Sequence, residues 1–415
     1  MSAGLIFYIV VFIIVFNYAI GRFLEYLNNT HRSSSLPKKL EGLYNAEKYQ
    51  KSQEYDKVKT QFGFYSSAFS LFLMLGMLFL DGFAWLDGWL RGYTENPIVL
   101  ALLFFGCLGF ASDILSLPFS VYNTFVIEER FGFNRTTVKT FVLDKLKGWI
   151  LGGILGGCLL FLFVSFYKYT GQHFWLYAWA VFSAFMLFMT SFFASLILPL
   201  FNKLTPMDGG LLRNSIEEYC IKVNFKLDNL FVMDGSKRSA KANAFFSGLG
   251  AKKKIVLYDT LINNHTNEEL VAVLAHEVGH YKLKHSRTTM IASVLQTGLM
   301  LFLLSLVIGS SELSAALGSS ESSFHLALLV FSFLYSPFSL LLGLGMNVLS
   351  RKHEYEADAY ARDTYNGDAL ASALKKLSVD NLSNLLPHPA YVFFYYSHPT
   401  LIQRLNTLKN GLQSE

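Results

Sequence analysis

Charge is scarce in this chain: Asp, Glu, Lys and Arg together make up only 16% of its 415 residues, where soluble domains carry about 25%. That shortage excludes a purely soluble enzyme and a disordered chain. Cysteine is scarcer still. Cys107, Cys158 and Cys220 are an odd set without CxxC spacing, which excludes a disulfide-built secreted module. No basic stripe interleaved with aromatics accompanies the modest net charge of +5, so nucleic acid is not an expected partner. Repeats and low-complexity tracts are absent, and Ser33–Pro37 is the best breaker cluster, read as a turn. The first apolar run lacks the basic start and small-residue cleavage site of a signal peptide. It counts as a span.

What is abundant is apolar: 52% of residues are hydrophobic, 39 of them Phe, and mean hydropathy is +0.35. A helix crosses a bilayer core with about 20 mostly apolar residues. Seven stretches qualify, near Gly4–Ile20, Phe62–Leu80, Pro97–Val121, Gly148–Tyr167, Phe174–Phe201, Thr288–Gly309 and Phe324–Leu349. Threading them puts only Arg91 and Lys168 of the 35 basic residues on one side and all the others on the opposite side. The basic side is cytoplasmic by the positive-inside rule, leaving the N-terminus outside. The expected architecture is an all-α polytopic membrane protein in four parts: helices and loops over 1–199, a small cytoplasmic domain over 200–287, two further spans over 288–349 and a cytoplasmic tail over 350–415.

The cytoplasmic domain holds His276-Glu277-Val278-Gly279-His280, an HExxH. Thr266-Asn267-Glu268-Glu269 has the form of a capping box and predicts a helix start. The histidines then share one helix face and can grip one Zn²⁺, with Glu277 beside it to take a proton from water. A hydrolytic zinc site usually has a third protein ligand. In Ser350–Asp358, Glu354 and Asp358 are four apart and share a face, whereas His353 and Glu356 point elsewhere. A carboxylate one turn beyond a ligand suits second-shell support. On spacing alone Glu354, Glu356 and His353 all remain possible ligands.

With these residues in view, the chain resembles the zinc-dependent type I CAAX prenyl proteases, the a-factor-converting family. The similarity rests on His276–His280 with Ser350-Arg351, Glu354-Tyr355 and Ala357-Asp358, and on Phe125–Thr137, Asn243–Gly248, Ile255–Leu261 and Ser397-His398-Pro399 with Arg404. The resemblance implies one Zn²⁺ per chain on His276, His280 and Glu354, Glu277 as general base, and Asp358 in support. It also implies seven helices around a water-filled intramembrane chamber, with the metal near its cytoplasmic end.

Asn243–Gly248 and Lys254–Tyr258 read as an edge strand and a short β element, or as an ordinary hairpin. With the resemblance, Asn243 and Ala244 are expected to bind an extended substrate. Of the two histidines that precede proline, His388 and His398, only His398 has an arginine six residues on, Arg404. That is the H-P-x-x-x-x-R form of the resembling family, and the resemblance implies that His398 donates to the oxyanion and that Arg404 pairs with a carboxylate near the metal or orients the tail. Glu128, Glu129 and Arg130 read equally as an ion-pair lattice or a solvated loop. Asp113 within a span requires water or a partner.

The implied substrates are C-terminal peptides of prenylated or membrane-associated proteins, cleaved to release the last three residues. A general quality-control protease and a non-proteolytic zinc-containing channel or scaffold are the alternatives. The implied membrane is the endoplasmic reticulum in a eukaryote or the cytoplasmic membrane in a bacterium. Oligomeric state is not legible.

Overall fold

Within lipid a chain must satisfy its backbone hydrogen bonds internally, so long apolar runs become helices. The computed structural model describes residues 1–33, 35–36, 42, 45–227, 229–248 and 254–410. Ser34 and Pro37 of the expected turn lie outside them. In chain order come α1 (Ala3–Thr30), α2 (Ala46–Phe79), α3 (Gly82–Arg91), α4 (Pro97–Tyr122), α5 (Val138–Thr170), α6 (Phe174–Phe192) and α7 (Leu198–Phe201). Then follow β1 (Leu204–Pro206), α8 (Leu211–Lys222), β2 (Leu230–Met233), β3 (Ala244–Ser247), β4 (Lys254–Tyr258), α9 (Asp259–Asn264) and α10 (Asn267–Lys282). The last part comprises α11 (His285–Val307), α12 (Ser311–Ala315), α13 (Phe324–Ala361), α14 (Gly367–Asp380), α15 (Pro389–Tyr395) and α16 (Leu401–Asn410).

Among the described residues, 6 helical segments are long and apolar enough to cross a membrane, and one of them, Val138–Phe201, has 64 residues. Straight, that segment would measure about 96 Å, roughly three bilayer cores. It folds back instead at Gly171, whose φ of +56° suits glycine. The ring pairs Phe166–Tyr177 and Phe163–Phe182 step away from this turn, so α5 and α6 run antiparallel. The seven expected crossings are thus α1, α2, α4, α5, α6, α11 and α13.

These seven helices close into a ring. α1 packs on α2, α4 on α5, α5 on α6, α6 on α11, α11 on α13 and α13 on α1. The Phe62–Phe119 and Phe69–Phe119 ring contacts join α2 to α4. The wall is one helix thick: no apolar window is more than 22% buried, which leaves one face for lipid and one for the interior. At one end the short helices α3 and α12 cap the ring, with Phe83, Leu86 and Leu313 in a core with Phe104, Phe163 and Leu326. Asp87 in that cap accepts hydrogen bonds from His325 at 2.7 Å and Arg91 at 2.9 Å.

At the other end the expected β element is larger than a hairpin. It is a four-stranded mixed sheet in the order β1-β2-β4-β3. β3 and β4 do pair antiparallel, but β4 also lies parallel to β2, with Leu230 opposite Ile255. Ile255, Val256 and Leu257 are all buried, as a strand covered on both faces requires. One apolar core then joins sheet and helices: Leu257 from β4, Leu270 and Leu274 from α10, Leu370 from α14 and Leu405 from α16. The stretches 200–287 and 350–415 therefore share a single core. α13 has 38 residues, about 57 Å. Its last turns consequently extend from the ring into this layer without a break, carrying Glu354 and Asp358 to α10.

Charged residues in and after α4 also have partners. Glu128 accepts hydrogen bonds from Tyr55 at 2.7 Å, Lys59 at 3.2 Å and Lys241 at 3.0 Å. Arg130 pairs with Glu54. Lys145 and Trp149 donate to Asp113 at 2.7 and 2.9 Å, so this ionic group in a span has its partners.

Candidate active site

The helix carrying the histidines starts where its capping box predicts. The Thr266 hydroxyl accepts from the Glu269 N–H at 3.3 Å, and Glu269 accepts from the Thr266 N–H at 2.9 Å. Glu269 also takes hydrogen bonds from Ser372 and Lys376 on α14. Burial opposes its charge, but these donors prevail and lower its pKa to about 2. Leu270, Leu274 and Val278 bury the opposite side of α10. Gly279 meets α13 at a close approach: a Cβ there would lie 3.2 Å from the Ala357 Cα. With no side chain between them, the two helices close until the histidines of one face Glu354 of the other.

Three basic side chains converge at that crossing. His276 Nε2 and His280 Nε2 are 3.1 Å apart, and Glu354 oxygens lie 3.5 and 3.3 Å from them. His276, His280 and Glu354 form a group able to hold a metal ion. The donor set fits Zn²⁺, which favours imidazole nitrogen and carboxylate oxygen. A further observation bears on the fit: Glu354 Oε2 is buried without a hydrogen bond, held only by longer ion-pair contacts of 3.4 Å to Arg404 and 3.5 Å to His276, so it has a lone pair to give a metal ion. His353 and Glu356 do not join this group. They meet His285 instead, the His285 and His353 rings stacking at 4.0 Å.

Supporting groups order the first histidine. His276 Nδ1 lies 2.9 Å from Asp358 Oδ1, and donation there leaves Nε2 as a free lone pair. Arg404 grips the same carboxylate with two hydrogen bonds, of 2.8 and 2.6 Å. Its NH2 also lies 3.3 Å from His276 Nδ1, but both are donors in this tautomer and the shared acceptor is Asp358. Burial disfavours a charged His276, yet the Asp358 and Glu354 carboxylates outweigh it and raise its pKa to about 9, so a metal that takes the Nε2 lone pair displaces a proton from it. Burial likewise raises the pKa of Glu277, against the opposing pull of His276 and His280.

His398 reaches the group, its Nε2 3.3 Å from Glu354 Oε1 and its side chain 63% exposed. The preceding segment is fastened to α13, where Arg351 donates to the Tyr396 carbonyl at 2.6 Å and Asn347 to that of Phe394 at 2.8 Å. His388 behaves differently. It caps α15, its Nδ1 accepting from the Ala390 N–H at 3.1 Å, with Pro389 in the first turn. The helix start with proline in the first turn is thus found at His388-Pro389. Asn243 is exposed and Ala244 opens β3, the edge strand of the sheet, whose other side pairs with β4. No measured contact joins Asn243 or Ala244 to the histidines. The sequence singles out neither His285, although it stands five residues after His280, nor Asn347, which has no local signature; Arg351 enters only as part of the resembling motif.

Two family models divide the chain. The CAAX prenyl protease N-terminal model, described as five membrane helices, matches residues 25–203, and peptidase family M48 matches residues 207–411. The chain is 38% identical to the probable CAAX prenyl protease 1 of Schizosaccharomyces pombe, over 87% of this chain and 79% of that one. It is 37% identical to the CAAX prenyl protease 1 homolog of Arabidopsis thaliana, over 90% of each. The crystal structure of S. mikatae Ste24p superposes with a TM-score of 0.91 at 33% identity, covering 98% of this chain and 99% of that chain. With its ring of membrane-length helices and its HExxH helix, this chain belongs to peptidase family M48 and is an integral, multi-pass membrane metallopeptidase.

Proposed function

We propose that this chain is a zinc metalloendopeptidase that removes the C-terminal aaX tripeptide from prenylated CAAX proteins. The observation that carries the chemistry is the convergence of His276, His280 and Glu354 at the crossing of α10 and α13, where one ligand atom from each lies within 4.8 Å of the others. The substrate class draws on relatives named CAAX prenyl proteases, 33–38% identical over most of both chains.

His276, His280 and Glu354 would hold one zinc ion per chain. When bound, zinc supplies a Lewis acid for the scissile carbonyl and eases deprotonation of water. Glu277 takes the proton of the attacking water and passes it to the leaving amine, a task suited to a carboxylate made more basic by burial. Asp358 holds the His276 tautomer, and Arg404 neutralises the buried Asp358. His398 is exposed enough to meet substrate, and its N–H would donate to the developing oxyanion. The free side of β3 would take the extended peptide by strand addition at Asn243 and Ala244. The crowding of basic residues on one side of the span arrangement supports a cytoplasmic active site, with 200–287 and 350–415 as its two halves. The named relatives are eukaryotic, which favours the endoplasmic reticulum as the membrane.

Purified protein tested on a farnesylated CAAX peptide and its unmodified form decides the reading. Preferential cleavage of the farnesylated peptide is expected. Equal rates would instead mark a general quality-control protease, and zinc binding with no turnover of any peptide a channel or scaffold.

A further inference from the structure

The group His285, His353 and Glu356 lies beside the first, and its geometry alone would permit a second metal ion. Proton bookkeeping points elsewhere. His280 Nε2 faces His276 and Glu354, while its Nδ1 lies 2.9 Å from His285 Nδ1. Two ring nitrogens at that separation need one proton between them. If Nε2 of a neutral His280 gives its lone pair to a metal, the proton must sit on His280 Nδ1, and His285 Nδ1 must accept it. The one remaining proton of a neutral His285 then sits on Nε2, which lies 2.9 Å from Glu356 Oε2. Each donor thereby meets one acceptor. No lone pair on His285 remains for a second metal.

We infer that His285 and Glu356 are positioning residues, a hydrogen-bonded relay from the Glu356 carboxylate through His285 to His280 that orients the second zinc-binding imidazole and raises its basicity. The relay mirrors what Asp358 does for His276, with one imidazole interposed. His353 is the packing partner, its ring parallel to that of His285 within 6°. His285 is only 5% exposed, so water is a poor substitute for its link to His280, whereas the Glu356 side chain at the outer end of the relay is 35% exposed. The inference rests on the assignment of zinc to His276, His280 and Glu354.

The test measures zinc stoichiometry, zinc affinity against a chromophoric chelator, and thermal melting of the full-length protein in detergent. Loss of an outer hydrogen-bond partner typically weakens metal affinity about 10–100-fold. His285→Phe keeps an aromatic ring against His353 and is expected to weaken zinc binding by that factor. Glu356→Leu should weaken it by about tenfold, while Glu356→Gln, whose amide oxygen still accepts from His285, should stay within about threefold of wild type. This rescue by an acceptor, with unchanged melting, separates positioning from general support of the fold. His353→Phe should leave both affinity and the single zinc per chain unchanged. Two zinc ions per chain, one lost on His353→Phe, would overturn the relay. So would wild-type affinity in both His285→Phe and Glu356→Leu. If Glu354→Ala abolishes binding while those two variants retain it, only the relay fails; if wild type binds no zinc, the catalytic assignment itself fails.

Discussion

Glu354 and Glu277 stand on different helices beside the same pair of histidines, and their roles separate by what each leaves behind when altered. Glu354→Ala removes an anionic ligand from a three-ligand set and should lose bound zinc together with activity. Glu277→Gln retains the ligands and should keep zinc while turnover falls by at least about a hundredfold, the scale of a general base. Metal analysis alongside peptide cleavage checks both, and stoichiometric zinc in Glu354→Ala would remove it as the third ligand. His398 and His388 form a second contrast. His398 lies 3.3 Å from Glu354, whereas His388 caps a helix and its ring rests on His31 at 4.6 Å. His398→Ala should reduce turnover about 10²–10³-fold with zinc content intact, and His388→Ala should change little. Equal activity of the two variants would leave His398 without a catalytic role. Spacing leaves Glu354, His353 and Glu356 open, and the crossing with α10 brings Glu354 beside His276 and His280 while His353 and Glu356 meet His285. A sequence shows which residues share a helix face but not which neighbouring helix that face meets.

At the scale of elements, the α10 N-terminus is where a local motif acquires long-range consequence. Thr266 through Glu269 announce a capping box, and the helix begins there. Nothing local announces that Glu269 also binds Ser372 and Lys376, more than a hundred residues later. The linkage has a definite sign. Glu269 has a folded pKa of about 2 against an ordinary value of 4.5, so its stabilisation is complete above the unfolded value and disappears as pH falls from about 4.5 towards 2. Lys376 is 43% exposed, and solvent screening holds the contribution to the order of 2–3 kcal/mol. Glu269→Gln should therefore melt lower than wild type at pH 7, and the gap should narrow by about 1 kcal/mol on going to pH 4. A gap that does not change with pH would mean that charge contributes nothing there. The sheet illustrates the same boundary of legibility. β3 and β4 are close in sequence and were readable, whereas β1 and β2 are separated by α8 and meet only through tertiary pairing.

For the whole molecule, the number of crossings was legible because hydrocarbon thickness sets a length that apolar runs must match. The closure of those crossings into a ring was not, since the contact of α13 with both α1 and α11 joins segments distant in the chain. The ring has two dissimilar ends: an apolar cap built on α3 and α12, and the layer that holds the sheet and the metal-binding group. An odd number of crossings fixes the relation between them, for Gly92 and Ser319 belong to the capped end and Gly367 to the metal end. The scarcity of Lys and Arg at the capped end supports the proposed placement of that end outside. In a chain whose three cysteines have been replaced, single cysteines at Gly92 and Ser319 should react with an impermeant maleimide added outside. Cysteines at Gly367, or at Lys253, which lies outside the described residues, should react only after permeabilisation. Labelling of the Gly367 or Lys253 position from outside would invert the protein in its membrane, moving the peptidase site away from the cytoplasm and from any prenylated substrate displayed there.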